Sequence, residues 1–170
     1  MRSANSIGKP RRRPEKTRLF YLVCGFLVIS FASSVSFAKG LTTKITIEGP
    51  RLVKSIEITD PALTKEFPVF AGPQTLLVDW AAGPSNPRSG AETYRVSFFL
   101  AHYVQPYIVL YAYDHSRKQG YVYVPGEDDQ SYRTNVSIVL RGVEGHWFRA
   151  LPRWEDIVRP MIEKQLRSAD

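Results

Sequence analysis

The sequence predicts a mainly β, α+β fold: an antiparallel sheet, arranged as a two-sheet sandwich, with an amphipathic C-terminal helix packed on it. Three observations carry that expectation. Apolar and polar residues alternate in several short segments between Thr43 and Val124, the period-two signature of strands with one buried face. Clusters of Gly, Pro, Ser, Asn and Asp separate those segments and supply the turns of an antiparallel order. Near the end of the chain, Trp154, Ile157, Val158, Met161, Ile162 and Leu166 recur at helical spacing, which makes one apolar stripe. Helical segments are too few for a parallel α/β fold.

Before the domain comes a segment of a different kind. Residues 1–18 hold five arginines and two lysines against one acid, and Leu19–Phe31 then run as LFYLVCGFLVISF without a charge. That order is the basic and apolar part of a secretory signal. Ser36 and Ala38 flank Phe37 in the small-x-small pattern read by signal peptidase, which places the cut between Ala38 and Lys39. The alternative is an uncleaved anchor over residues 19–38, since about 20 apolar residues span a bilayer. Either way the arginines hold the N-terminus in the cytoplasm and residues 39–170 form a single extracytoplasmic domain, periplasmic, secreted or tethered. The arginine run 11–13 is followed by Pro14 and Glu15, which makes a poor twin-arginine address.

Within the domain, Thr43–Gly49 alternates Ile45 and Ile47 against polar residues, and Lys54–Thr59 does the same with Ile56 and Ile58. A hairpin follows from the Gly49-Pro50 turn between them. Asp60 before Pro61 is an N-cap with proline at the first helical position, so residues 62–67 are expected as a short helix ended by Pro68. Thr75–Trp80 is apolar, and residues 81–90, AAGPSNPRSG, read as a surface loop. Tyr94, Val96, Phe98 and Leu100 share one face of a strand over 92–101, whereas 107–113, YIVLYAY, is apolar on both faces and predicts a central strand. Another strand follows over 119–124, then an acidic loop over 126–130. Residues 132–141, YRTNVSIVLR, fit either strand or helix and are read as a strand. Pro160 should kink the final helix or begin its second segment.

Composition narrows the chemistry. The chain carries 23 basic and 16 acidic residues, but residues 39–170 hold 16 and 15 of them. A near-neutral domain lacks the basic balance of a nucleic-acid binder, and none is expected as a partner. Cys24, in the apolar run, is the only cysteine, so disulfides, thiol catalysis and thiolate metal sites are excluded from the domain. No phosphate-binding loop, dinucleotide fingerprint, nucleophile elbow or H-E-x-x-H motif occurs. No cofactor and no metal are expected, and the membrane is a partner only through residues 19–38 if they stay uncut.

The aromatic residues are the most suggestive feature. Tyr107, Tyr111 and Tyr113 share one face of their strand and Tyr121 and Tyr123 one face of the next. Paired across a sheet they would form a ladder, either a platform for an envelope or extracellular ligand or a core packed under the C-terminal helix with Trp154. The alternative is a small hydrolase or metal-dependent enzyme that uses His146 or His115 with neighbouring carboxylates such as Glu144. His102 stands apart from both, and general bases and metal sites need convergence that this spacing does not display. Glu127, Asp128 and Asp129 form an acidic patch without the spacing of a calcium loop. Asp114 and His115 open the turn DHSRKQG, in which Asp and Ser more often bond their own backbone than a substrate. Asn135-Val136-Ser137 fits a glycosylation acceptor.

The segments GPRLVKSIEITDP (49–61), YAYDHSRKQGYVYVPG (111–126) and RGVEGHWFRA (141–150) resemble those of a family of uncharacterised exported bacterial proteins. The resemblance covers most of residues 39–170. It implies one extracytoplasmic domain and brings no catalytic residue, ligand or partner with it. The expected role is a non-catalytic binding or scaffolding module of the cell envelope, acting through the tyrosine face or the 81–90 loop.

Overall fold

In chain order the elements are β1 (Thr42–Glu48), β2 (Ile56–Ile58), α1 (Pro61–Thr64), a 3-10 turn (Trp80–Ala82), β3 (Thr93–Leu100), β4 (Tyr107–Asp114), β5 (Gln119–Val124), α2 (Tyr132–Ile138), β6 (His146–Arg149) and α3 (Pro152–Arg167). They come from a computed structural model that describes residues 40–70 and 77–167. Residues 1–39, which include the expected export segment and the expected cut between Ala38 and Lys39, and the start of the 75–80 stretch lie outside the described residues. No helix among the described residues is long and apolar enough to cross a membrane.

All six strands join one antiparallel sheet in the order β2-β1-β3-β4-β5-β6. The hairpin of β1 and β2 pairs Ile45 with Ile58 and Ile47 with Ile56, so four isoleucines leave water on one face. Tyr94, Val96 and Phe98 of β3 continue that face, as do Tyr107, Val109 and Tyr111 of β4, Val122 and Val124 of β5, and Phe148 of β6. On the other face, Ile108 and Ala112 are also buried, as expected of a central strand covered on both sides.

The two-sheet sandwich is corrected to this single sheet. What would be the place of a second sheet is filled by α3 and by Phe67, Val69, Leu77 and Val78, all buried in the same core. Trp154, Val158 and Ile162 form the buried stripe of α3. The helix runs unbroken through Pro160, which is exposed. Trp154 meets Phe67 at 5.2 Å between ring centroids, Tyr111 at 6.1 Å and Phe98 at 6.4 Å. One large indole thus ties helix, sheet and the segment after α1 together.

Residues 132–141 are corrected from strand to helix over Tyr132–Ile138. The cause is Asn135, whose carboxamide accepts from the Ile108 N–H at 2.9 Å and donates to the Ile108 carbonyl at 2.6 Å. Those two groups lie in β4 at a position to which the paired part of β5 does not extend. Further along, Asp60 caps α1 by accepting from the Ala62 N–H at 2.8 Å, with Pro61 first in the helix. The free edge of β6 is covered by the chain from Val78 to Ser85, with Asp79 N–H donating to the Arg149 carbonyl at 2.9 Å and Ser85 N–H to that of Trp147 at 2.8 Å. Covered edges resist pairing with a second chain.

Candidate functional site

The register decides the fate of the predicted tyrosine ladder. Tyr121 pairs with Ala112 and Tyr123 with Leu110, while Tyr111 pairs with Val122. Directly paired residues share a face, so Tyr121 and Tyr123 lie on the opposite side of the sheet from Tyr107, Tyr111 and Tyr113. No single ladder exists. Tyr107 and Tyr111 are core residues on the helix side, and Tyr113 is half-buried there. Tyr121 is buried on the other side, with its hydroxyl accepting from Arg117 at 3.2 Å. Tyr123 is half-buried, stacks on Trp147 at 5.2 Å and donates to Asp129 at 2.7 Å.

A larger concavity among the described residues lies elsewhere, at the β6 end. Val69 and Phe70 come from the stretch after α1, Trp80, Gly83 and Pro84 from the loop that covers β6, residues 139–143 from the turn after α2, and His146 and Phe148 from β6 itself. Together they line a groove of about 720 Å³, within the size range of small-molecule sites. Trp80 packs against Phe148 at 4.9 Å, and its indole N–H is buried without a hydrogen-bond acceptor among the described residues. Gly83 takes φ +70, a left-handed conformation that a glycine adopts without strain.

One cation belongs to this wall. The Arg141 guanidinium donates to the Tyr107 hydroxyl at 3.3 Å and to the Val69 carbonyl, and lies 5.6 Å from the Tyr107 ring. It makes no ion pair with a carboxylate among the described residues. Burial pushes the Tyr107 hydroxyl above its ordinary pKa, with the guanidinium opposing. Glu144, the expected partner of His146, closes its own turn instead, accepting from the N–H of Arg141 at 2.5 Å and of Val143 at 2.9 Å. His146 is exposed at the groove, where β6 begins.

A second, much smaller pocket of about 30 Å³ opens between α3 and the β3–β4 strands, lined by Tyr94, Tyr111, Tyr113, His115, Arg159 and the carboxylates of Glu92 and Glu163. That volume holds little more than one water. His115 stands edge-on to Tyr113 at 4.9 Å. Although desolvation pulls the other way, hydrogen bonds from Arg51 at 3.0 Å and Tyr94 at 2.9 Å hold the Glu92 carboxyl below its ordinary pKa. Burial, with the Glu92 bond, pushes Tyr94 up to about 12. Behind this pocket, Glu155 of α3 lies over Gly120 of β5 so closely that a Cβ there would fall 1.8 Å from its Oε1. That oxygen and the Tyr111 hydroxyl are both buried, and by distance and angle neither has a hydrogen-bond partner among the described residues. Burial raises the Glu155 carboxyl above its ordinary pKa, more than the nearby Tyr111 hydroxyl and Arg159 lower it.

The remaining candidates are dispersed. His102 is in the β3–β4 turn at φ +70 and lines neither the groove nor the small pocket. Asp129 accepts from the Gly126 N–H at 2.7 Å as well as from Tyr123, so it shapes the acidic loop. No group of three or more His, Cys, Asp or Glu among the described residues is placed to hold a metal. Asp114 accepts from Ser116 Oγ at 2.6 Å and from two backbone N–H groups of its turn, which hold its carboxyl below the ordinary range. No family model, curated protein or solved structure matches this chain. Sequence reasoning missed the groove because its walls come from four separated segments, of which it singled out only His146 and the 81–90 loop.

Proposed function

We propose that the chain is an exported, non-catalytic binding module of the cell envelope or exterior, whose groove takes an anionic amphiphile. The observation that supports this is the lining: aromatic and aliphatic side chains, the cationic Arg141, the imidazole of His146, and no Asp or Glu. An apolar body would lie against Trp80, Phe148 and Val143, and an acidic head would meet a guanidinium that has no carboxylate partner among the described residues. The 81–90 loop contributes through Gly83 and Pro84. The hydrolase or metal-enzyme alternative has less to support it, because Glu144 is held by its own turn and Glu92 by Arg51 and Tyr94.

Anilinonaphthalene sulfonate, an apolar anion, tests the reading. Saturable binding is expected, with energy transfer from Trp80 that Trp80→Phe reduces. Arg141→Gln should weaken binding about tenfold, the loss of one charge-assisted contact. The uncharged parent amine should bind wild-type protein correspondingly less well. Absence of saturable binding would remove the groove as a site, and equal affinity for the two probes would remove the role of Arg141.

A further inference from the structure

We infer that the end of the sheet where the described chain begins rests on the surface of a lipid bilayer that contains anionic headgroups. Five large apolar residues are exposed among the described residues, and four of them are at this end: Leu41 at 47%, Tyr103 at 36%, Val104 at 94% and Leu140 at 65%. Leu41 lies beside the turn that carries Tyr103 and Val104, and Leu140 is connected to them through Phe70 and the groove that both line. The Leu41 carbonyl accepts from the Ala101 N–H at 2.9 Å, which sets the start of β1 beside the β3–β4 turn that carries Tyr103 and Val104. Phe70 stacks on Tyr103 at 5.5 Å and covers Gly40 so closely that a Cβ there would fall 1.7 Å from its ring. Phe70 and Leu140 both line the groove, so the patch continues into its mouth. The fifth residue, Val53, lies in the β1–β2 turn at the other end of the sheet. A contiguous apolar patch on a soluble face marks a partner surface.

Two observations choose a bilayer as that partner. The apolar stretch Leu19–Phe31 ends ten residues before Leu41, and ten residues reach at most about 35 Å. If residues 19–38 stay uncut in a membrane, Leu41 is within that reach of it. The stretches that carry the patch, 40–44, 67–70, 101–106 and 139–143, contain Lys44, His102 and Arg141 and no Asp or Glu, which suits a negatively charged surface. Glu127, Asp128, Asp129 and Glu144 line a separate concavity that shares Gly142 with the groove. Aromatic and aliphatic side chains at a tip, flanked by cations, bind at the headgroup boundary.

The inference rests on the export reading but goes beyond the groove and its ligand. The test uses the chain in the form in which cells deliver it, with Cys24→Ser and a single polarity-sensitive dye on Val104→Cys, Leu140→Cys or, as a control in the opposite turn, Ser116→Cys. Each is mixed or reconstituted with phosphatidylethanolamine–phosphatidylglycerol vesicles. At positions 104 and 140 the dye should shift to the blue, lose most of its emission to brominated lipid and be shielded from iodide. At position 116 iodide alone should quench. Iodide access at 104 and 140 equal to that at 116 would overturn the inference, and so would shielding from both quenchers, since a protein or second copy would then cover the patch. Cell fractionation separates the two failures: a chain in the envelope whose tip stays in water overturns the docking and leaves export standing.

Discussion

Asn135 does with one side chain what a neighbouring strand does with its backbone. Its amide oxygen and nitrogen answer the N–H and carbonyl of Ile108 at 2.9 and 2.6 Å, and the residue is buried. Asn135→Ala leaves both backbone groups without partners, each costing about 1–3 kcal/mol when buried. The variant should therefore lose about 2–6 kcal/mol, read as a lower urea midpoint at unchanged denaturant slope. A midpoint within error of wild type would mean that water replaces the amide. In sequence the same residue looks like a glycosylation acceptor, but in the folded domain its nitrogen is buried and already donating. Single residues are legible when their partner is local, as with Asp60 at its helix start or Asp114 in its turn. They are illegible when the partner is 27 positions away, as here.

At the scale of elements, period two marks β1, β2 and β3 because each has one strongly apolar face, and β4 is marked instead by a run that is apolar on both faces. The stretch 132–141 failed because Thr134, Val136 and Ile138 favour a strand by propensity, whereas the Asn135 contact holds a helix. The packing of α3 on β5 was also beyond reach, since it depends on a glycine opposite a carboxylate. Gly120 leaves room for Glu155, whose raised pKa has a definite sign in stability. A carboxyl with a higher pKa folded than unfolded binds its proton more tightly in the fold. Its stabilisation is complete below the unfolded value and is lost as pH rises through the folded one. Glu155→Gln, which cannot ionise, should remove that loss and leave the protein more stable than wild type at neutral pH by about 1 kcal/mol, as expected for relieving one buried, poorly satisfied group. Gly120→Ala should push the carboxylate out towards water and abolish the same pH dependence. Urea titrations at pH values on either side of the ordinary glutamate pKa check both, and a slope that survives in Glu155→Gln would assign it to another group.

For the whole molecule, alternation states which face of each strand is buried but not what lies against it, and so the sandwich and the single helix-covered sheet were equally compatible with the strand pattern. The answer lies in Trp154, the fully buried indole that contacts Phe67, Phe98 and Tyr111. Its truncation to alanine opens a cavity between α3 and the sheet and should cost about 3–5 kcal/mol, a large part of the 5–15 kcal/mol typical of a domain. Trp154→Phe keeps a ring against those three partners. It also removes an indole N–H that is buried without an acceptor among the described residues, so its cost should be less than half that of Trp154→Ala. Urea unfolding at constant slope gives both numbers. Were phenylalanine as damaging as alanine, the indole N–H would have to be bonded in the folded protein, and the closure of the sheet by α3 would owe as much to that polar contact as to the packing of the ring.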